Sequence, residues 1–361
     1  MSSSIIFLLP SLAHGGAQKV FLDVATYLAD SGKSVSLFVL DKEGELLDSI
    51  PDSLSVIFLD ESIDHLGLLK RFIQFFRLRK LIKEFNTSDV YSTITGMNIF
   101  VLLCFYFSDD VKITVREATS FENYSSIVKS VLVRFLYPRA NKIICTSEYI
   151  RSQLLTLRGL DSSKLIFLPN PIDIEKIRDL STKECEHRWP NSGYRIISVG
   201  RLVKAKGFDV LISAFALLRE NLDSQLVIVG EGPEKKNLED QIQALQLDDK
   251  VRIIGYKKNP YPYMYASDLY VLSSRWEGYV NTLVEAMALG IDVVATDCKS
   301  GPGDLIREKL NYELVPIGSE KGLALSIQEA LLNPRDTTIF EEILQRHSLQ
   351  IAVGNYIGEC V

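Results

Sequence analysis

Glu277 and Glu285 are the residues from which chemistry is most readily argued. They lie eight positions apart in Arg275–Gly290, which reads RWEGYVNTLVEAMALG. The apolar run Asp268–Leu272 before them reads as a buried strand, and a helix is predicted to open near Thr282 with Glu285 in its first turn. Open α/β sheets bind ligands at that place, outside the carboxyl ends of the strands, where backbone N–H groups face an anion. A first-turn acid also offsets the helix dipole with no ligand at all. Glu277, on a loop beside Gly278, has no such structural reason, so the pair reads as a binding site.

A second candidate is Gly200–Gly207, a loop between a predicted strand and a predicted helix that carries Arg201, Lys204 and Lys206. Three cations near a helix N-terminus repel one another and oppose the dipole, which an anionic ligand such as a phosphate would offset. A solvated basic loop would have the same composition. Gly15-Gly16 and Gly230-Glu231-Gly232 also follow strands, but short glycine groups are weak signals. Metal chemistry finds little support: there is no Asp-x-Asp, no His/Cys cluster with ligand spacing, and only His14 among four histidines lies in a candidate loop. A G-x-S-x-G nucleophile elbow is absent as well. Were a diphosphate to leave here, arginine and lysine would have to carry its charge, and no cofactor or metal is expected.

The elements that must position these residues alternate strand and helix in two halves. Strands are predicted at Ile5–Leu9, Val35–Leu40, Ser55–Leu59, Val90–Thr95, Lys112–Val115, Lys142–Thr146 and Leu165–Leu168, with helices at Gln18–Ala29, Leu66–Phe85 and Ile127–Tyr137. The alternation breaks at Leu168-Pro-Asn-Pro-Ile-Asp173, and the charged stretch after it reads as a linker. It restarts with strands at Arg195–Val199, Leu226–Val229, Val251–Ile254 and Asp292–Thr296 and a helix at Phe208–Glu220. Near-continuous apolar strands in such alternation imply parallel sheets covered on both faces. The fold class is therefore α/β, with two facing Rossmann-like domains and an interdomain cleft: 1–173, a linker at 174–193, and 194–361, whose last helix is placed to pack back on the first domain.

Composition agrees with this frame. The chain has 361 residues, 47% hydrophobic and 24% charged, enough for two globular domains. A net charge of −6 argues against general nucleic-acid binding. Five scattered cysteines without a C-x-x-C pair suit buried free thiols in a reducing compartment. The amino terminus lacks the basic region of a signal peptide, and the longest apolar block, Ile99–Phe107, is too short to span a bilayer, so a cytoplasmic location is expected.

Gly200–Gly207, Gly230–Pro233, Gly255-Tyr256, Ser274–Gly290 and Asp297–Ile306, in this order and spacing, resemble the retaining GT-B glycosyltransferases of family 4. The first half contributes Gly15–Val20 and Asn170–Asp173 to the likeness. The resemblance implies a nucleotide-sugar donor on the C-terminal domain and an acceptor on the N-terminal one. By it, Arg201 and Lys206 hold the donor diphosphate beside Gly200, Glu285 the ribose hydroxyls, and Glu277 the donor sugar. Gly278, Tyr279, Val280, Asn281, Thr282 and Leu283 cradle sugar and phosphate, Gly255, Tyr256 and Lys257 meet the base, and Gly16 approaches the phosphates. An oxocarbenium-like sugar needs a nearby carboxylate, and a departing diphosphate needs fixed cations.

One departure stands out. Many family members carry a histidine in an N-terminal loop that here reads Thr114-Val-Arg-Glu-Ala-Thr119. Some members that build lipid-linked oligosaccharides have Arg-Glu or Glu-Arg-Asn there, and the resemblance places Arg116 and the catalytic candidate Glu117 at the site. Ser300-Gly301-Pro302 with Asp304 resembles transferases that extend lipid-linked glycans, N-acetylgalactosamine among their sugars; a helix-capping turn explains the same residues.

Leu66–Lys83 carries Lys70, Arg71, Arg77, Arg79, Lys80 and Lys83 among apolar residues and no acid, and Ile127–Lys142 adds four more cations. Such helices lie on anionic lipid or simply present a solvated basic face. The expectation is a metal-independent retaining glycosyltransferase, peripheral on the cytoplasmic membrane. It would move a hexose or N-acetylhexosamine from a UDP-sugar to a lipid-linked oligosaccharide for O-antigen or capsule. A soluble acceptor, or a catalytically silent nucleotide-sugar-binding protein, are the rivals. A dehydrogenase would need G-x-G-x-x-G after an early strand, which is not completed here.

Overall fold

The computed structural model describes residues 4–13, 15–60, 68–85, 87, 89–120, 126–184, 189, 193–218, 222–306 and 313–358. His14, Cys185, Cys360 and much of the expected linker lie outside the described residues. The chain divides into two units, Met1–Ile172 with Leu349–Val361, and Asp173–Ser348.

The first unit holds strands β1 (Ile5–Leu9), β2 (Val35–Val39), β3 (Ser55–Phe58), β4 (Asp89–Thr93), β5 (Lys112–Glu117), β6 (Lys142–Cys145) and β7 (Leu165–Phe167). They form a parallel sheet in the order β3-β2-β1-β4-β5-β6-β7. Side chains alternate across it, as the two-residue period of a strand demands. Ile6 and Leu8 enter one core with Val90, Ile113 and Ile143; Phe7 and Leu9 enter the other with Leu37, Val39 and Ile144. This is why these strands read as unbroken apolar runs. The C-terminal helix Leu349–Ile357 joins the second of these cores through Val353 and Tyr356.

The second unit holds β8 (Tyr194–Val199), β9 (Ser224–Val229), β10 (Val251–Ile253), β11 (Leu269–Leu272) and β12 (Asp292–Ala295), parallel in the order β10-β9-β8-β11-β12. Each sheet therefore reverses its direction of growth once, between β1 and β4 and between β8 and β11. Such a switch point opens a crevice at the carboxyl ends of the two strands, because their following segments leave toward opposite sides.

Two helices depart from expectation. The stretch read as linker is helical over Ile174–Ser181: Asp173 caps it by accepting from the Lys176 amide at 3.0 Å, and Ile177 is buried. The apolar block Ile99–Phe107, read only as too short for a membrane, begins inside the helix Thr95–Cys104, whose Ile99, Val101, Leu102 and Cys104 are buried in the core. Cys104, Cys145 and Cys298 are buried free thiols, and burial pushes each up to about 12. Among the described residues no helix is long and apolar enough to cross a membrane.

Candidate functional site

The loop after β8 folds tightly against the loop after β11. Gly207 closes its 3₁₀ turn, Lys204–Lys206, at φ +63°, and a Cβ there would come within 2.1 Å of the Ser273 carbonyl oxygen. Only glycine satisfies both the left-handed backbone and the close approach. The two loops are pinned further by the Arg275 amide, which donates to the Ala205 carbonyl at 2.7 Å. The Arg275 guanidinium binds both carboxylate oxygens of Asp209, at 2.7 and 2.6 Å. That bidentate pair ties the helix following one loop to the base of the other, and holds the Asp209 carboxyl below its usual range.

Between these clamps sit the two residues that matter most. Lys206 Nζ lies 2.6 Å from Glu277 Oε1. The same oxygen accepts from the Ser274 hydroxyl at 2.6 Å, and the Ser300 hydroxyl donates to the Glu277 backbone carbonyl. The Glu277 side chain is only 8% exposed and Lys206 20%. A carboxylate and an ammonium are thus presented together at the β8/β11 switch point, with their geometry fixed before any ligand arrives. Ser274 and Ser300 extend the site beyond the residues expected. Pro302 opens a short helix with Asp304 in its first turn, so the Ser300–Asp304 segment is a capping turn as well as a support for Glu277.

Glu285 is not a first-turn acid. The helix begins at Asn281, which puts Glu285 in the second turn, buried and accepting from the Tyr261 hydroxyl at 3.3 Å. Its distance from the terminus removes the dipole argument and leaves a carboxylate buried beside a phenol. Thr282 accepts from the Tyr270 hydroxyl at 2.7 Å, which orients the start of the same helix. Arg201 is exposed, and its guanidinium has no hydrogen bond or ion pair among the described residues. Gly200, Gly230 and Gly255 line up across the ends of β8, β9 and β10: the Gly230 amide donates to the Gly255 carbonyl at 2.9 Å, and a Cβ on Gly230 would sit 1.9 Å from the Gly200 oxygen. The glycines at 230 and 232 therefore act as packing spacers. Tyr256 is exposed, and Lys257 Nζ stands 5.7 Å from the Tyr263 ring centroid.

His347 escaped the sequence altogether. It accepts the Tyr279 hydroxyl at Nε2, and its ring is buried. No local pattern announces this contact, since it depends on the helix Phe340–His347 packing on Asn281–Ala288.

In the first unit, Gly16 is exposed at the start of the helix Gly16–Asp30. Arg116 and Glu117 end β5, one strand beyond the β1/β4 switch point, and both are buried. The Arg116 guanidinium donates to Thr93 Oγ1 at 2.9 Å, Asn170 Oδ1 at 2.5 Å and the Tyr356 hydroxyl at 3.3 Å. Glu117 accepts from the Thr95 hydroxyl at 3.0 Å, from the amides of Ala118 and Thr119 at 3.1 and 2.9 Å, and from the Tyr137 hydroxyl. Burial pushes its carboxyl up. Glu117 presents no oxygen to solvent, and its hydrogen bonds tie the end of β5 to Thr95, just past β4. Ile94, between them, carries φ +73°, a strained conformation for a β-branched residue.

Residues 14–176 match the family described as Glycosyltransferase Family 4, and residues 181–346 the family described as Glycosyl transferases group 1. A Campylobacter jejuni protein named N-acetylgalactosamine-N,N'-diacetylbacillosaminyl-diphospho-undecaprenol 4-alpha-N-acetylgalactosaminyltransferase is 28% identical over 89% of this chain and 88% of its own. The amylovoran biosynthesis glycosyltransferase AmsD of Erwinia amylovora is 25% identical over 81% of this chain and 80% of its own. Among solved structures, Anabaena HepE in complex with UDP and glucose superposes with a TM-score of 0.79 at 20% identity, covering 99% of this chain and 98% of that one. The lipopolysaccharide outer core galactosyltransferase WaaB gives 0.75 at 19%, covering 98% and 99%.

Proposed function

The chain belongs to the GT-B glycosyltransferases, and from that premise we propose that it moves a hexose or N-acetylhexosamine from a UDP-sugar to a lipid-linked oligosaccharide. The pathway would be that of a surface polysaccharide such as O-antigen or capsule. The observation that carries the reading is the Lys206–Glu277 pair at the β8/β11 switch point, an ammonium for a diphosphate beside a carboxylate for a sugar. Arg201, exposed on the same loop, adds a second cation. Glu285, buried against Tyr261, is the carboxylate for the ribose hydroxyls, and Gly255–Lys257 lies toward the base. The full-length likeness to a relative named for a diphospho-undecaprenol substrate supports the acceptor class and a peripheral place on the cytoplasmic membrane.

Transfer would proceed with retention and without a metal. The acceptor oxygen bonds to the anomeric carbon on the face from which the diphosphate leaves, and the acceptor proton passes to the departing phosphate oxygen. Lys206 and Arg201 offset the charge that develops there. Purified protein with EDTA, presented with UDP-, GDP- and ADP-sugars, should release nucleotide from UDP-sugars alone, and NMR of the product should show the donor's anomeric configuration. Inverted product, or activity lost to EDTA and restored by a divalent cation, would overturn this mechanism. Equal transfer to a soluble acceptor and to a lipid-linked one would overturn the acceptor class.

A further inference from the structure

A ring of hydrogen bonds closes through Glu285 and the helix that carries it. It starts at the helix Ile174–Ser181, which buries Ile177 and packs against both the short helix Tyr261–Tyr265 and the helix Asn281–Ala288. The Leu180 carbonyl, near the end of that first helix, accepts from the Asn259 side-chain amide at 2.9 Å. Asn259 Oδ1 in turn accepts from the Tyr261 backbone amide at 3.3 Å, and the Tyr261 hydroxyl donates to Glu285 Oε1 at 3.3 Å. Further along the same helix, the Ala288 carbonyl accepts from Arg178 Nε at 3.0 Å, which returns the ring to its start. Arg178 also pairs with Glu341 at 2.7 Å, and the dipole favours its charge at a helix carboxyl end.

Each link removes freedom that the Glu285 carboxylate would otherwise keep. Asn259 uses both ends of its amide, which fixes its rotamer and with it the start of the short helix. Tyr261 is buried, so packing holds its ring and aims the hydroxyl at Glu285. Two positions on, the buried Tyr263 ring lies 5.7 Å from Lys257 Nζ. Residues i and i+2 of a helix leave in different directions. One short helix therefore reaches Glu285 on one side and the Gly255–Lys257 stretch on another. The hydroxyl–carboxylate separation of 3.3 Å is long beside the usual value of about 2.7–2.8 Å. Such a bond orients a carboxylate without using it up, since carboxylate oxygens accept several hydrogen bonds at once.

We infer that Tyr261 is the positioning residue for ribose recognition. Supported by Asn259 and the helix Ile174–Ser181, it holds Glu285 in the orientation in which the carboxylate accepts from the ribose hydroxyls of a nucleoside diphosphate. The chemistry of the partner fits the task. A cation in its place would neutralise Glu285, as Lys206 does Glu277, whereas a phenol orients the carboxylate and leaves its charge to draw hydroxyl donors. The inference rests on the assignment of Glu285 to the ribose given above.

The test is titration calorimetry of the full chain with UDP and with 2′,3′-dideoxy-UDP, which shares the base and phosphates but lacks both ribose hydroxyls. The parent should bind UDP at least ~10-fold more tightly. Tyr261→Phe removes a single oxygen and keeps the ring, so folding is not at issue. It should weaken UDP binding roughly 10-fold and change that of dideoxy-UDP by less than about twofold. In a Glu285→Ala background the same change should cost UDP affinity nothing further, because the phenol acts only through that carboxylate. A preference for UDP that Tyr261→Phe leaves intact, or a loss that persists without Glu285, overturns the inference while leaving Glu285 at the ribose. A parent that binds the two nucleotides alike overturns the ribose assignment of Glu285 and the inference together.

Discussion

The Tyr279 hydroxyl and His347 form a hydrogen bond whose direction the rest of the ring decides. Nδ1 of His347 lies 2.7 Å from the Ile343 carbonyl, which only accepts, so the ring proton sits there and Nε2 receives the phenol. Burial pushes the His347 pKa down to about 4 from 6.5, so the ring is neutral. A protonated ring would carry a second N–H, at Nε2, needing an acceptor where Tyr279 now donates. Because the folded value lies below the unfolded one, the stabilisation is complete above pH 6.5 and disappears as pH falls toward 4. Urea denaturation of the parent should lose on the order of 3 kcal/mol across that window from this group. His347→Gln should be less stable at pH 7, with the gap closing by pH 4; a gap independent of pH would contradict the assignment. Tyr279→Phe should raise the donor KM more than it lowers kcat, since it frees the loop that opens the Asn281–Ala288 helix without touching Glu277.

Lys206 and Glu277 should act as a unit. Either Lys206→Ala or Glu277→Gln removes a group from the site and also leaves its nearly buried partner without a counter-charge. Each single change is expected to lower kcat/KM by roughly 100-fold or more, and the double variant by little beyond the worse single one. Steady-state kinetics on the four proteins measures this. Multiplicative losses would mean that the two groups work independently.

Glu117→Gln separates support from chemistry. Four donors converge on that carboxylate, and an amide nitrogen in place of one oxygen would face one of them. The cost is expected in stability, about 1–3 kcal/mol, with kcat/KM per folded molecule within about threefold of the parent. A large fall in kcat with an unchanged melting temperature would instead assign Glu117 the catalytic role.

The strands and the loops after β8 and β11 were legible because their signals are local. Unbroken apolar runs ended by glycines can satisfy their backbones only as buried parallel strands. Lys206 and Glu277 could be named for the same reason, since strand and loop spacing alone put them at one sheet edge. That they touch could not be read, for it follows from the sheet order that sets β8 beside β11. The family resemblance alone places Arg116 and Glu117 at the site; that hydroxyls, amides and Asn170 enclose them depends on contacts from distant segments that no local spacing announces. Ser300 and His347 bond to residues 23 and 68 positions away, beyond any periodicity. The helix Ile174–Ser181 was hidden by its brevity and by charges that suit an exposed face.

Gly207 and Gly159 offer a controlled comparison of backbone and packing. Both hold left-handed backbone, φ +63° and +78°, but a Cβ at 159 meets nothing within 4 Å, whereas one at 207 would press on the Ser273 carbonyl at 2.1 Å. Gly159→Ala should therefore cost only the conformational term, about 1 kcal/mol, with activity unchanged. Gly207→Ala must also push the β8 and β11 loops apart, and about 3 kcal/mol or more is expected. The move would carry Lys206, its chain neighbour, away from Glu277, so kcat/KM should fall along with the melting temperature. Equal destabilisation of the two variants would show that the loops yield easily. The fixed geometry of the Lys206–Glu277 pair would then have to come from the Arg275–Asp209 clamp alone.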